Sequence, residues 1–319
     1  MINFRFHLVS LVAVFLALAL GVLMGSTVID RTIVDGLEAS IKRVGDRADE
    51  TRAENLALKA RLDALEGYAE QALPLLIGDR LKGVPVAMVA VRGVDGGAVG
   101  QMADILRGGG ALVPGVVWLE PSLALPDVSA EVRLGEVLGD PFKKGADLRR
   151  TAIDALGRRL AAGPEAAGNQ PGAADVLAAM GTAGFVAFDS MGSDFDPAQF
   201  PLPGSRVLVI DGSQGKLKPD VVALPLIRAL QVGGALVALG EVFSETDSRS
   251  GRGAIVSGVR DDQALATRVA TVDDLEEPRG RAALALALDE LGRGQAGHYG
   301  EGPGASRQLP EPPPPAPGA

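Results

Sequence analysis

Hydrophobic and polar positions follow three successive rhythms along this chain. The first is an almost unbroken apolar run of 22 residues from Leu8 to Ile29. As a helix it would span roughly 33 Å, close to the hydrocarbon thickness of a bilayer. The second rhythm begins with no turn signal between. From Ile41 the spacing alternates between three and four, through Ile41, Val44, Ala48, Thr51, Asn55, Leu58, Leu62, Leu65, Ala69 and Ala72. That is the a/d seam of a left-handed coiled coil, with Asn55 at an a position where it would pair across a parallel dimer and fix register. Glu54 at g faces Lys59 at e′ and Arg61 faces Glu66, whereas Arg47 opposite Arg52 is repulsive. A single amphipathic helix packed on its own domain is the alternative. Pro74 is expected to end the helix.

The third rhythm consists of short apolar runs bounded by glycine. Strands are expected at Val84–Val91, Val113–Leu119, Gly184–Phe188, Arg206–Ile210, Ala235–Leu239, Ala254–Val259 and Arg268–Val272. Helical patterns lie between several of them, at Ala98–Arg107, Leu148–Leu160, Ala173–Met180, Pro219–Val232 and Arg279–Leu291. Continuous apolar strands alternating with helices predict an α/β, Rossmann-like domain whose largely parallel sheet is covered on both faces. Ala162–Gly172 reads as a surface loop, and the Gly/Pro-rich end from Gly300 as a disordered tail. The chain therefore divides into an amino-terminal stretch 1–7, a membrane anchor 8–29, a coiled-coil stalk 30–73, an α/β domain 80–299 and a tail 300–319.

Cleavage as a signal peptide is the alternative to anchoring, since Ala17-Leu18-Ala19 resembles a small-x-small site. The apolar run continues past it through Leu20, Val22, Leu23 and Met24, which favours an uncleaved anchor. Ala13, Ala17, Gly21 and Gly25 recur every four residues and include a Gly-x-x-x-Gly, which allows two helix backbones to approach closely in lipid. Alanine and glycine are abundant throughout, so such a stripe also arises by chance. Arg5 precedes the run while Arg31, Lys42, Arg43 and Arg47 follow it, so charge bias sets no orientation.

Composition removes several function classes. A net charge of −9 argues against nucleic acid, whose phosphates would be repelled. With no cysteine there is no disulfide framework, thiolate metal site or cysteine nucleophile. The two histidines, His7 and His298, sit near no nucleophile motif. Asp211-Gly212-Ser213-Gln214-Gly215-Lys216 lacks the P-loop spacing, and the turn Arg92-Gly93-Val94-Asp95-Gly96-Gly97 lacks G-x-G-x-x-G. Asp273/Asp274 and Glu276/Glu277 precede Pro278 and a helix, where acidic residues suit the helix dipole. No catalytic set and no cofactor site emerges. For copper, Met88, Met102, Met180 and Met191 are scattered, which leaves His298 as the one weak ligand.

The ends of the chain nevertheless resemble a known family. Phe6-His7-Leu8 through Leu20-Gly21, followed by Gly25-Ser26, is similar to the start of actinobacterial MctB-type copper transporter proteins. Ala270-Thr271-Val272-Asp273-Asp274, then Gly280-Arg281 and Gly297-His298-Tyr299-Gly300, is similar to their carboxy-terminal section, with Thr271, Asp273, Asp274, His298 and Tyr299 as its motif residues. The resemblance implies an envelope protein of copper efflux or homeostasis, with copper as transported ion, while the lack of catalytic motifs leads us to expect no enzyme. It also implies an amino terminus in the cytoplasm and a main domain outside. Partners then follow as the membrane, a second copy of the chain (a parallel homodimer or higher oligomer) and an envelope protein. The competing reading is a dimeric structural or signalling role in an envelope or cell-separation complex, because one helix cannot enclose a pore.

Overall fold

A computed structural model describes residues 4–164, 175–192, 195–244 and 251–311; within the first helix, side chains 26–34 are not described. The chain separates into two compact units, Met1–Leu65 and Glu66–Ala319.

One helix, α1, runs from Phe4 to Ile77. Its membrane-compatible part is Phe4–Gly25, starting four residues before the expected Leu8 because Phe4 and Phe6 extend the apolar run. The heptad positions are solvent-exposed in the chain, with Leu58, Leu62 and Leu65 at 64%, 57% and 59% exposure. Pro74 does not end the helix, which continues to Ile77. Proline removes only its own N–H, and the helix stops one turn later at Gly78, whose φ of +51° no longer suits a helix.

The second unit is built on a mostly parallel sheet of seven strands: β1 (Val86–Val91), β2 (Val116–Leu119), β3 (Val186–Asp189), β4 (Arg206–Gly212), β5 (Val237–Val242), β6 (Val269–Val272) and β7 (His298–Tyr299). Their order is β3-β2-β1-β4-β5-β6-β7, and only β3 runs antiparallel. Val86 pairs with Arg206 and Val207 with Val237, so β1 and β4 share the centre. All residues of β1, β2, β5 and β6 are buried. Strands covered on both faces can use continuous Val/Leu/Ala runs, and this made them legible in the sequence. The covering helices are α2 (Gly96–Gly108), α3 (Val128–Leu138), α4 (Gly145–Ala162), α5 (Val176–Thr182), α6 (Ala223–Val232), the short α7 (Ser257–Arg260) and α8 (Gln263–Ala266), and α9 (Pro278–Gly292). α2 packs with α9, and α4 packs closely along α6. The α4–α6 contact is tight enough that a Cβ on Gly157 would lie 2.4 Å from that of Ala229.

Four expectations need correction. Ala254–Val259 is not a strand but a turn entering α7. The backbone N–H groups of Gly253, Ile255 and Val256 donate to the Glu241 carboxylate instead of to a ladder neighbour. Helix α3 was not expected, although Asp127 caps it on Ala130 N and Gly139 closes it in the left-handed region. The two-residue β7 was too short to register as a pattern. Finally, the segment expected to begin a disordered tail is ordered over its first residues. Gly300 N donates to Arg307 O and Ser306 N to His298 O. The loop expected at Ala162–Gly172 and the start of the helix expected at Ala173–Met180 lie largely outside the described residues.

Candidate functional site

The parallel strands β4, β5 and β6 all deliver acidic residues to one edge of the sheet. Asp211 and Glu241 are register partners on β4 and β5. Asp273 and Asp274 follow β6, and all four side chains are at most 1% exposed. Carboxylates so placed need compensation, and each finds a different one.

Asp273 is held by the fullest set. Its Oδ2 accepts from Arg260 Nη1 at 2.7 Å, and its Oδ1 accepts the backbone N–H groups of Glu301 and Gly302 at 2.8 and 3.0 Å. Arg260 is itself buried and distributes its remaining donors over the same neighbourhood. Nε donates to Thr271 Oγ1 at 2.9 Å, Nη2 to Tyr299 O at 2.8 Å and Nη1 to Pro303 O at 2.9 Å. Thr271 Oγ1 also meets His298 Nδ1 at 2.9 Å, and the Tyr299 hydroxyl donates to Glu290 on α9. Four of the five motif residues therefore meet around one guanidinium. Arg260 gave no signal in the sequence, because a lone arginine after an apolar run looks like a surface residue.

His298 is arranged to orient β7. Its Nδ1 engages Thr271 Oγ1. Burial, and then the neighbouring Arg260 charge, push its pKa below the usual value. Among the described residues, no group of three or more His, Cys, Asp or Glu side chains is placed to hold a metal ion. Met88, Met102 and Met180 are buried in the core, and Met191 sits in a turn at φ +48°.

Asp274, the fifth motif residue, contacts Arg279 Nε through Oδ2 at 3.2 Å, and its Oδ1 has no partner. Burial and then the adjacent Asp273 charge raise its pKa to about 7. Asp211 is similar. Oδ1 accepts from Gly212 N at 2.8 Å and Oδ2 is unpartnered. Burial is again the main reason that its pKa rises to about 7. Glu241 is raised by burial against the pull of its three N–H donors.

Beside these acids a crevice of about 250 Å³ opens between Val94, Asp95, Gln214, Phe243, Ser244 and Glu276. The two glycine turns considered separately in the sequence meet there. Lys216 N donates to Arg92 O at 2.8 Å, and a Cβ on Gly93 would lie 2.5 Å from Gln214 O. Only glycine fits such an approach. The crevice does not suit a phosphate, because Asp95 already caps α2 on Gly97 N at 2.9 Å and puts a negative charge at the helix start. Glu276 is taken by Phe243 N and by Arg252.

The molecule is thus an α/β protein with, among the described residues, one helix long and apolar enough to cross a membrane, and with buried carboxylates clustered at the ends of β4, β5 and β6. The chain belongs to the family described as "Copper transport outer membrane protein, MctB", which it matches over residues 1–310. It is 28% identical to the proteins named "Copper transporter MctB" of Mycobacterium tuberculosis and Mycobacterium bovis, over 319 residues covering 96% of this chain and 98% of theirs. The protein of the same name in Mycobacterium leprae is 26% identical over 96% of this chain and 98% of its own.

Proposed function

We propose that this chain is a membrane-anchored envelope protein of copper transport, with its amino terminus in the cytoplasm and its α/β unit outside. The observation that carries the reading is the family match from the first residue to 310, joined by relatives of nearly equal length that bear the copper-transporter name. The strand order, which reverses between β1 and β4, supports the Rossmann-like description. The heptads of α1 support a coiled-coil stalk.

The residues define what part such a chain would play. The open, mostly parallel sheet is unlike the closed antiparallel barrel that lets strands span a bilayer. A lone helix cannot enclose a conduit. Among the described residues, the motif histidine belongs to no group of three or more side chains that could hold a metal ion. The chain then serves copper export as an anchored component of an assembly, and not as an enzyme. A deletion strain should be more sensitive to copper and accumulate more of it. Normal growth and normal copper content in elevated metal would defeat the proposal, and a septation defect in their place would favour a structural role.

A further inference from the structure

We infer that the exposed seam of α1 docks a second copy of this chain, parallel and in register. The inference rests on the coiled-coil reading above and commits it to one occupant.

Two faces of α1 have different fates. In its last turns Leu73 and Ile77 are 6% and 1% exposed. Ile77 packs on the turn after α2, where a Cβ on Gly109 would come within 2.6 Å of its Cγ2. Glu70 accepts from the buried Arg281 Nη2 at 3.3 Å. Residues 70, 73, 74 and 77 form one stripe along the last turns of α1. The heptad seam is another stripe. Ile41, Val44, Leu58, Leu62 and Leu65 remain 57–66% exposed, and none of the described residues covers them. Exposed Ile, Val and Leu side chains at both ends of this seam, with Ala48, Thr51 and Asn55 between them, gain by being shielded by another helix.

Charge and register select the occupant. Among the described residues, no ion pair within the chain engages Glu54, Lys59 or Arg61, although Arg52 pairs locally with Asp49. In a parallel pair of identical helices Glu54 meets Lys59 and Arg61 meets Glu66 across the seam, twice each by symmetry. An antiparallel pair loses this matching. Asn55, exposed and at an a position, meets its own copy only in the parallel, unshifted register. An unrelated partner helix would have to reproduce both the charge order and the asparagine. The Ala13/Ala17/Gly21/Gly25 stripe, where a Cβ on Gly21 or Gly25 would meet nothing within 4 Å, is compatible with this pairing but adds no independent weight.

The chain has no cysteine, so single cysteines report geometry without background. Leu58→Cys, Leu62→Cys and the off-seam Ala60→Cys would each be placed in the full-length protein in native membranes and mildly oxidised. Disulfide-linked dimers are expected at Leu58 and Leu62 in at least five-fold excess over Ala60. Adding Asn55→Ile to Leu62→Cys should lower that yield, as register and oligomer order relax. Equal yields at all three positions, or no dimer at any, overturns the proposal. So does dimer formation only when the Leu58→Cys and Leu62→Cys variants are mixed, because a positions meet d positions across an antiparallel seam. Copper tolerance of the deletion strain is scored separately. A monomeric chain that still confers tolerance removes the dimer and leaves the transport reading standing, whereas dimers without a copper phenotype do the reverse.

Discussion

Asp211 shows how much a single side chain can weigh on this domain. Its carboxyl is buried with one oxygen unpartnered, and its pKa lies at about 7 against an ordinary 3.8. Between those values the folded chain holds a proton that the unfolded chain releases. Stability contributed at low pH is therefore lost as pH rises toward 7, at up to about 1.4 kcal/mol per pH unit. Asp274, also raised to about 7, acts in the same direction. His298, whose pKa is lowered, acts in the opposite direction as pH rises through its range. Asp211→Asn keeps the acceptor for Gly212 N and removes the titration. Its denaturant midpoint should change less between pH 5 and pH 8 than that of the native chain. An unchanged pH profile would show that Asp211 is ionised in the fold. None of this burial was visible in the sequence, where Asp211 reads as part of a polar turn.

At the scale of elements, the short strand β7 and the segment that follows it are held less by ladder pairing than by Arg260. That guanidinium reaches β6 through Thr271, β7 through Tyr299 O, and the 301–303 segment through Asp273 and Pro303 O. Arg260→Met would leave Asp273 as a buried, unpaired charge, a loss on the order of 3–5 kcal/mol. Hydrogen exchange at Tyr299, Gly300 and Glu301 should accelerate strongly while β1 and β4 stay protected. Adding Asp273→Asn should recover part of the loss, and strictly additive effects would argue that the two groups do not interact. The same elements mark how far the sequence could be read. β1, β2, β4, β5 and β6 announced themselves because burial on both faces needs unbroken apolar runs. Ala254–Val259 carries the same local signal, yet Glu241, more than ten residues earlier, captures its N–H groups. Thr271, Asp273, His298 and Tyr299 were legible through family resemblance alone, and the arginine that unites them was not legible at all.

For the whole molecule, the decisive division is between Met1–Leu65 and the α/β unit that follows. The apolar stretch Phe4–Gly25 has a mean hydropathy of 2.7 and is long and apolar enough to cross a bilayer. Two arginines near its middle, as in Val12→Arg with Leu16→Arg, cost about 5–7 kcal/mol on an insertion scale and should defeat anchoring. The native chain should resist extraction from membranes by alkaline carbonate and the double variant should not. Native protein released by carbonate would rule out a spanning helix.

The central position of β1 sets the order in which this protein can be made. Val86 has its second neighbour at Arg206, 120 residues later, and the Asp273 lock is completed only by the N–H groups of Glu301 and Gly302. A nascent chain emerging from its amino end thus presents helix α1 long before its sheet can close. Parallel pairing at such separation is slow, and it leaves β1 and β2 without their neighbours in the meantime. The sheet therefore closes only after nearly the whole chain has been made, and its central strand is the one that waits longest for a neighbour.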